Sequence, residues 1–305
     1  MLPSVMVCDA HVHFFSPNFF DGLGRQMGLP DQSRAAAVVA KAGWQDPESS
    51  EALADRWVGE LDRHGLTRAA LIASLPGDES SVAAAIARHP SRFVGFFMLD
   101  PTKDDAVDRA RAALESGLRG ICLFPAMHRY ALADDRVARV LDTTAGHAAR
   151  PVIFVHCGML SVGVRRKLGL PSPFDMRLGQ PLDVAMLAAR FPSVPFVIPH
   201  FGAGFFREAL MAADACPNIH FDTSSSNGWT RYTPGLTLAD VFRTALSVAG
   251  PGRLLFGTDS SFFPRGWNRE VFDSQQTAMD VGGFTDDARA QVLGGNFERL
   301  FARAR

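Results

Sequence analysis

Val5-Met6-Val7-Cys8-Asp9-Ala10-His11-Val12-His13 opens the readable part of this chain. Its apolar start has the length and character of a β-strand. Because a strand repeats its facing every two residues, His11 and His13 aim at one point from the strand's end. Three more short apolar runs finish in a side chain able to ligate a metal: Pro151-Val-Ile-Phe-Val-His156, Val194-Pro-Phe-Val-Ile-Pro-His200 and Leu254-Leu-Phe-Gly-Thr-Asp259. Four strand-like segments that each deliver such a residue at the C-terminal end point to one shared site.

Outward from these runs the same rhythm fills the chain. Apolar stretches of strand length occupy residues 5–8, 69–75, 93–99, 120–124, 152–155, 194–198, 219–221 and 254–256. They are continuous rather than alternating, as in parallel strands covered on both faces. Helical patterns lie between them. Residues 50–64 put Leu53, Trp57, Val58 and Leu61 on one stripe and stop at Gly65, while Thr102-Lys-Asp-Asp105 reads as a capping box for a helix over 106–115 with Gly117 as its stop. Further helices are expected over 181–190, 205–215, 238–248 and 285–293. Strand and helix alternating eight times over 305 residues, 47% of them hydrophobic, predict a single α/β domain spanning 1–305, a (β/α)8 TIM-type barrel whose active site lies at the C-terminal mouth of the strands.

The interval between His13 and the second strand, about 55 residues, is longer than the other crossovers. The insertion, about 14–50, begins Phe14-Phe15-Ser16-Pro17-Asn18-Phe19-Phe20, and it reads either as a lid over the site or as a contact surface for a second copy of the chain. A formal charge of -1 with acids and bases interspersed offers no footprint for nucleic acid or an anionic membrane, so a small-molecule substrate is the expected partner. No stretch has the signature of a secretory leader or the ~20 apolar residues of a membrane helix, and a cytoplasmic protein is expected. Cys8, Cys122, Cys157 and Cys216 fall in no CxxC spacing and read as buried reduced thiols.

Neutral imidazole and carboxylate oxygen suit zinc and similar divalent ions. His11, His13, His156 and Asp259 would supply three nitrogens and one oxygen and leave a position free. Such an ion lowers the pKa of bound water from 15.7 toward about 7, which suits attack on a carbonyl or an electron-poor double bond. Asp259 would accept the proton and His200 would orient the water. Asp9 reads either as a carboxylate holding a His tautomer or as a buried acid bonded to backbone. Phe14, Phe15, Phe262 and Phe263 follow the ligands and would make the mouth apolar. Arg265 is the preferred clamp for a substrate carboxylate, with Arg165, Arg166 and Arg231 next in line. His64, His89, His128 and His147 get no role, and Ser224 to Ser226 read as weak evidence for a nucleophile.

These motifs resemble the amidohydrolase superfamily, in the amidohydrolase-related branch that includes aminocarboxymuconate-semialdehyde decarboxylase. The resemblance runs along essentially the whole chain. It rests on Asp9-x-His11-x-His13, on His156, on His200-Phe-Gly-Ala-Gly204, on Gly257-Thr258-Asp259 and on the closing Leu293-Gly-Gly-Asn296-Phe-Glu-Arg-Leu-Phe301. Many binuclear relatives carry a bridging lysine on strand four. The run Gly120-Ile-Cys-Leu-Phe124 has none, which implies one divalent ion, zinc first and manganese second, and gives His200 an acid/base role rather than a ligand's. The implied activities are hydrolysis of a small amide, ester or lactone, or the alternative, non-oxidative decarboxylation of an aromatic or muconate-like acid. Family precedent also implies a homodimer.

Overall fold

A strand that is apolar on both faces is stable only when both faces are covered, and the chain achieves this by winding its strands into a ring. The computed structural model describes residues 5–301. Its strands are β1 (Cys8–Phe14), β2 (Arg68–Ala73), β3 (Phe93–Leu99), β4 (Gly120–Leu123), β5 (Val152–Val155), β6 (Phe196–Ile198), β7 (Ile219–Asp222) and β8 (Leu254–Leu255). Neighbours in sequence are neighbours in the sheet, and every pairing is parallel. The ring closes through Ala10 N–H to Phe256 O (2.8 Å), Asp259 N–H to His11 O (3.0 Å) and His13 N–H to Ser260 O (2.7 Å). The fold is thus the eight-stranded barrel expected from the sequence.

The first strand differs from expectation in its bounds. It runs from Cys8 through the histidines to Phe14, and Val5 is 49% exposed ahead of it. Polar residues can continue this strand because the interior supplies partners for them. The 102–105 capping box is also absent: Thr102 Oγ1 donates to Asp100 (2.7 Å), and the helix Ala106–Glu115 starts without a side-chain cap. A capping box does form at Thr237 and Asp240, where the helix Leu238–Ala249 begins. The pattern over 285–293 divides into a helix Asp286–Ala290 and a π-helical turn Gln291–Gly295.

Two apolar layers hold the barrel. Phe97, Leu99, Ile121, Ile153, Phe196 and Phe221 pack outward against the helices. Ile72, Phe96, Phe154, Phe297 and Phe301 fill the interior, the last two carried by the terminal helix Asn296–Phe301. The four cysteines are free and buried. The segment after β1 forms the helices Pro17–Gln26 and Arg34–Ala42. Their Phe19, Phe20, Leu23, Val38 and Val39 make a separate cluster with Val164 and Leu168 of the helix Gly163–Leu168, which follows β5. In an eight-stranded ring β1 and β5 are opposite, so this segment reaches across the mouth. Buried Asp78 anchors its start, accepting from Ser16 Oγ (2.5 Å) and Asn18 Nδ2 (2.9 Å). Among the described residues no helix is long and apolar enough to cross a membrane.

Candidate active site

A register irregularity between Asp9 and Val12 shapes the first part of the site. Cys8 and Ala10 face the barrel interior, whereas Val12 and Phe14 belong to the outer layer. An irregularity of this kind re-aims side chains, so His11 and His13 point into the mouth although Asp9, two residues before His11, does not share their environment. Asp9 accepts from Thr258 Oγ1 (2.5 Å), Thr258 N–H (3.1 Å), Trp267 Nε1 (2.8 Å) and His11 N–H (2.9 Å). It ties β1 to the segment after β8 and holds no imidazole, which corrects the tautomer-holding reading. Burial pushes its carboxyl up to about 6, against the pull of these hydrogen bonds.

The tautomer of His11 is instead governed by Asp222, at the end of β7. His11 Nδ1 lies 2.6 Å from Asp222 Oδ2, both fully enclosed. Burial alone would raise the Asp222 carboxyl; the adjacent imidazole overrides this and holds it below the usual carboxylate value. His13 Nδ1 lies 2.7 Å from Ser74 Oγ, whose own proton goes to Ile72 O (3.0 Å). Both rings therefore carry their proton on Nδ1 and present a lone pair at Nε2. The two Nε2 atoms are 3.3 Å apart, and Asp259 Oδ1 is 3.1 Å from that of His13 and 3.6 Å from that of His11. Three lone-pair donors converging so closely repel one another unless a cation lies among them, and the donor set of two imidazoles and a carboxylate fits a divalent ion. Burial opposes ionisation of the Asp259 carboxyl, whereas a positive charge among these groups, as on a protonated imidazole, holds it well below its usual value.

His156 faces the same cavity outside this tight group. Its ring centroid is 5.4 Å from that of His200, it stacks on Phe124, and its buried Nδ1 has no hydrogen-bond partner among the described residues. His200 stacks 5.1 Å from His11 and shares the Ser224 hydroxyl with it, each Nδ1 lying 2.9 Å from Oγ. The turn that carries His200 is strained. His200, Phe201 and Ala203 have φ of 54°, 52° and 44°, and Asp259 has 61°. Non-glycine residues hold such angles only where their surroundings enforce them. Gly158 is part of that enforcement: its φ is +72°, and a Cβ there would strike the carbonyl oxygens of Gly202 and Ala203.

These groups sit in a cavity of about 750 Å³ at the barrel mouth, lined by His11, His13, His156, His200 and Asp259. Phe15 lines it as expected, in a run of near-parallel rings: Phe19 at 4.0 Å on one side, Trp44 at 5.8 Å on the other, then Phe262 at 4.3 Å from Trp44. Phe14 does not, because strand alternation turns it into the outer layer, where it is fully buried. Phe263 likewise packs on Trp57. Arg265 reaches the cavity, donating to Ser261 Oγ (3.0 Å) and Asp259 O (3.3 Å) with its guanidinium 4.6 Å from the Phe262 centroid. Arg166 and Arg231 line it too, but Arg165 is turned away to Pro171 O and Gln26. The sequence reading missed Asp222, Ser74 and Trp44, and it named Ser224 only as weak evidence for a nucleophile, whereas its hydroxyl lies beside His11 and His200. Asp222 left a signal, an acid directly after the apolar run 219–221; Ser74 and Trp44 left none.

The sequence matches the Amidohydrolase family model over residues 8–303. The chain belongs to the amidohydrolase family. No curated protein matches it significantly. Among solved structures it is similar to an uncharacterised TIM-barrel protein from Bordetella bronchiseptica, with a TM-score of 0.68, 17% identity, and coverage of 98% of this chain and 99% of that one. It is also similar to 5-carboxyvanillate decarboxylase from Novosphingobium aromaticivorans, a variant with bound manganese and 3-methoxy-4-hydroxy-5-nitrobenzoic acid, with a TM-score of 0.65, 14% identity and coverage of 98% and 97%. A third is an amidohydrolase from Burkholderia multivorans with bound zinc, with a TM-score of 0.58, 19% identity and coverage of 97% and 99%. At these identities the likeness is one of fold.

Proposed function

We propose that this amidohydrolase is a mononuclear metal-dependent hydrolase of a small, flat, carboxylate-bearing ester, lactone or amide. The convergence of three lone-pair donors, His11 Nε2, His13 Nε2 and Asp259 Oδ1, beside His200 carries the reading. His11, His13 and Asp259 would hold zinc, with His156 facing them as the fourth ligand and manganese as the alternative ion. The ion supplies Lewis acidity toward water and the scissile carbonyl. The chain does the rest. Asp222 and Ser74 fix the ring orientations, and Asp259 accepts the proton of the attacking water and returns it to the leaving atom. His200 orients the water by hydrogen bonding from the strained turn. The ring series from Phe19 to Phe262 gives a flat substrate an apolar wall, and Arg265 receives its carboxylate.

The same wall and the same arginine also favour the second reading, decarboxylation of an aromatic acid, in which Asp259 or His200 delivers a proton to carbon as carbon dioxide leaves. Elemental analysis of protein purified without added ions should find one divalent metal per chain. Two metals, or none in a protein whose activity resists chelators, would overturn the metal assignment. A panel of lactones, esters, amides and aromatic acids, with both acid release and carbon dioxide measured, separates the two reactions. Arg265→Ala should raise KM for an acidic substrate about 10- to 150-fold, the equivalent of roughly 1.5 to 3 kcal/mol for a lost charged hydrogen bond.

A further inference from the structure

Arg265 accounts for one acidic group beside the metal ligands, and the cavity holds more positive charge than that one group can use. Arg166 and Lys167 from the helix after β5 and Arg231 from the turn after β7 also line it, while among the described residues Asp259 is the one carboxylate in its wall. None of these three cations is ion-paired with a described residue. The Arg166 guanidinium makes no hydrogen bond or ion pair with any described residue. Arg231 donates to Tyr232 Oη (2.9 Å), and the Lys167 ammonium lies 5.8 Å from the Trp44 centroid. Elsewhere in the chain arginines such as Arg68, Arg92, Arg109 and Arg289 have carboxylate partners. Four cations gathered around one concavity with a single carboxylate raise its potential and draw anions into it.

Topology separates Arg265 from Arg166 and Lys167. Arg265 leaves from β8, next to β1 and bonded to the Asp259 backbone, whereas Arg166 leaves from β5, on the side of the ring opposite β1. We propose that Arg166 and Lys167, on the side of the mouth opposite β1, form a second anion subsite together with Arg231 from the turn after β7, so that the substrate is a flat molecule bearing two acidic groups. This rests on the reading of the cavity as the substrate site. A guanidinium donates to carboxylate or phosphate oxygens alike, so the second group belongs to one of these two chemistries. A cavity of about 750 Å³ has room for a ring with substituents at both ends.

Calorimetric titration of the zinc-loaded protein with benzoate, isophthalate and 4-carboxyphenyl phosphate tests this. Isophthalate or the phosphate ester should bind about 10-fold or more tighter than benzoate, as expected for one added charged hydrogen-bonding pair. Whichever binds tighter identifies the second group, and either result supports the subsite. In Arg166→Gln/Arg231→Gln the advantage over benzoate should vanish, and Arg166→Lys should recover part of it. Equal affinities for benzoate and both doubly charged probes would overturn the proposal, as would a double variant that weakens benzoate as much as isophthalate. Zinc content of the same samples judges the metal reading separately, because the ratio of affinities can persist in a protein that binds no zinc.

Discussion

Replacing Asp222 by Asn is the sharpest test of how the proposed metal ligands are set. Asp222 Oδ1 accepts from Ser224 N–H (2.7 Å) and Oδ2 faces His11 Nδ1 (2.6 Å), with the whole side chain buried. In the variant the amide oxygen must remain at the Ser224 N–H, which turns the amide NH2 toward His11. Two donors then oppose each other unless the imidazole moves its proton to Nε2, where it points at His13 and Asp259 and blocks ligation. The lost charge-assisted bond alone is worth about 1.5 to 3 kcal/mol, or roughly 10- to 150-fold in zinc affinity. Partners of ligating histidines typically change metal affinity about 10- to 100-fold, and the forced tautomer puts this variant near the upper end. The matching change on the other ring, Ser74→Ala, removes a neutral bond of about 0.5 to 1.5 kcal/mol and should cost no more than about 10-fold. Competition against a fluorescent zinc chelator measures both, with circular dichroism of the metal-free variants to show that they fold. Unchanged zinc affinity in Asp222→Asn would refute the argument that this carboxylate sets the tautomer.

His200→Asn should keep the metal content of the parent and lower turnover about 100-fold or more, the usual cost of losing a positioned acid or base; loss of metal would make His200 a ligand. Gly158→Ala introduces a Cβ against two carbonyl oxygens of the His200 turn at a left-handed φ, and chemical denaturation should show a loss of about 2 to 5 kcal/mol. A stability equal to that of the parent would mean that the turn can move away from β5. His220, inside the barrel, has its pKa lowered from 6.5 to about 4 by burial and then by Arg299 and Arg253. It is neutral in the folded chain while the unfolded chain takes up the proton, so its contribution is complete above pH 6.5 and is lost as the pH falls toward 4. That amounts to about 1.4 kcal/mol per pH unit and about 3 kcal/mol in all. Denaturant titrations of His220→Leu should show a shallower decline over this window, and parallel declines would exclude His220 as the cause.

The number and direction of the strands were legible in the sequence because continuous apolar runs separated by amphipathic helices leave few ways to cover both faces of every strand. The convergence of His11, His13 and Asp259 was legible for a related reason. In a parallel barrel all strand ends of one polarity meet at one mouth, so residues closing apolar runs must come near one another wherever they lie in the chain. What the runs did not carry was facing. Strict alternation placed Asp9 with His11, but the irregularity after Asp9 gives it to Thr258 and Trp267. Alternation also turns Phe14 away from the cavity that Phe15 enters, a consequence visible only once the strand was seen to extend beyond the histidines. Partners distant in sequence were decided by closure of the ring. His11 and Asp222 are 211 residues apart and His13 and Ser74 are 61 apart, and no local pattern selects these pairs from other buried acids and hydroxyls. Arg165 and Arg166 are adjacent and chemically identical, yet one faces Pro171 and the other the cavity. A helix only six residues long, whose placement depends on its packing with Phe19 and Val38 across the mouth, settles that choice.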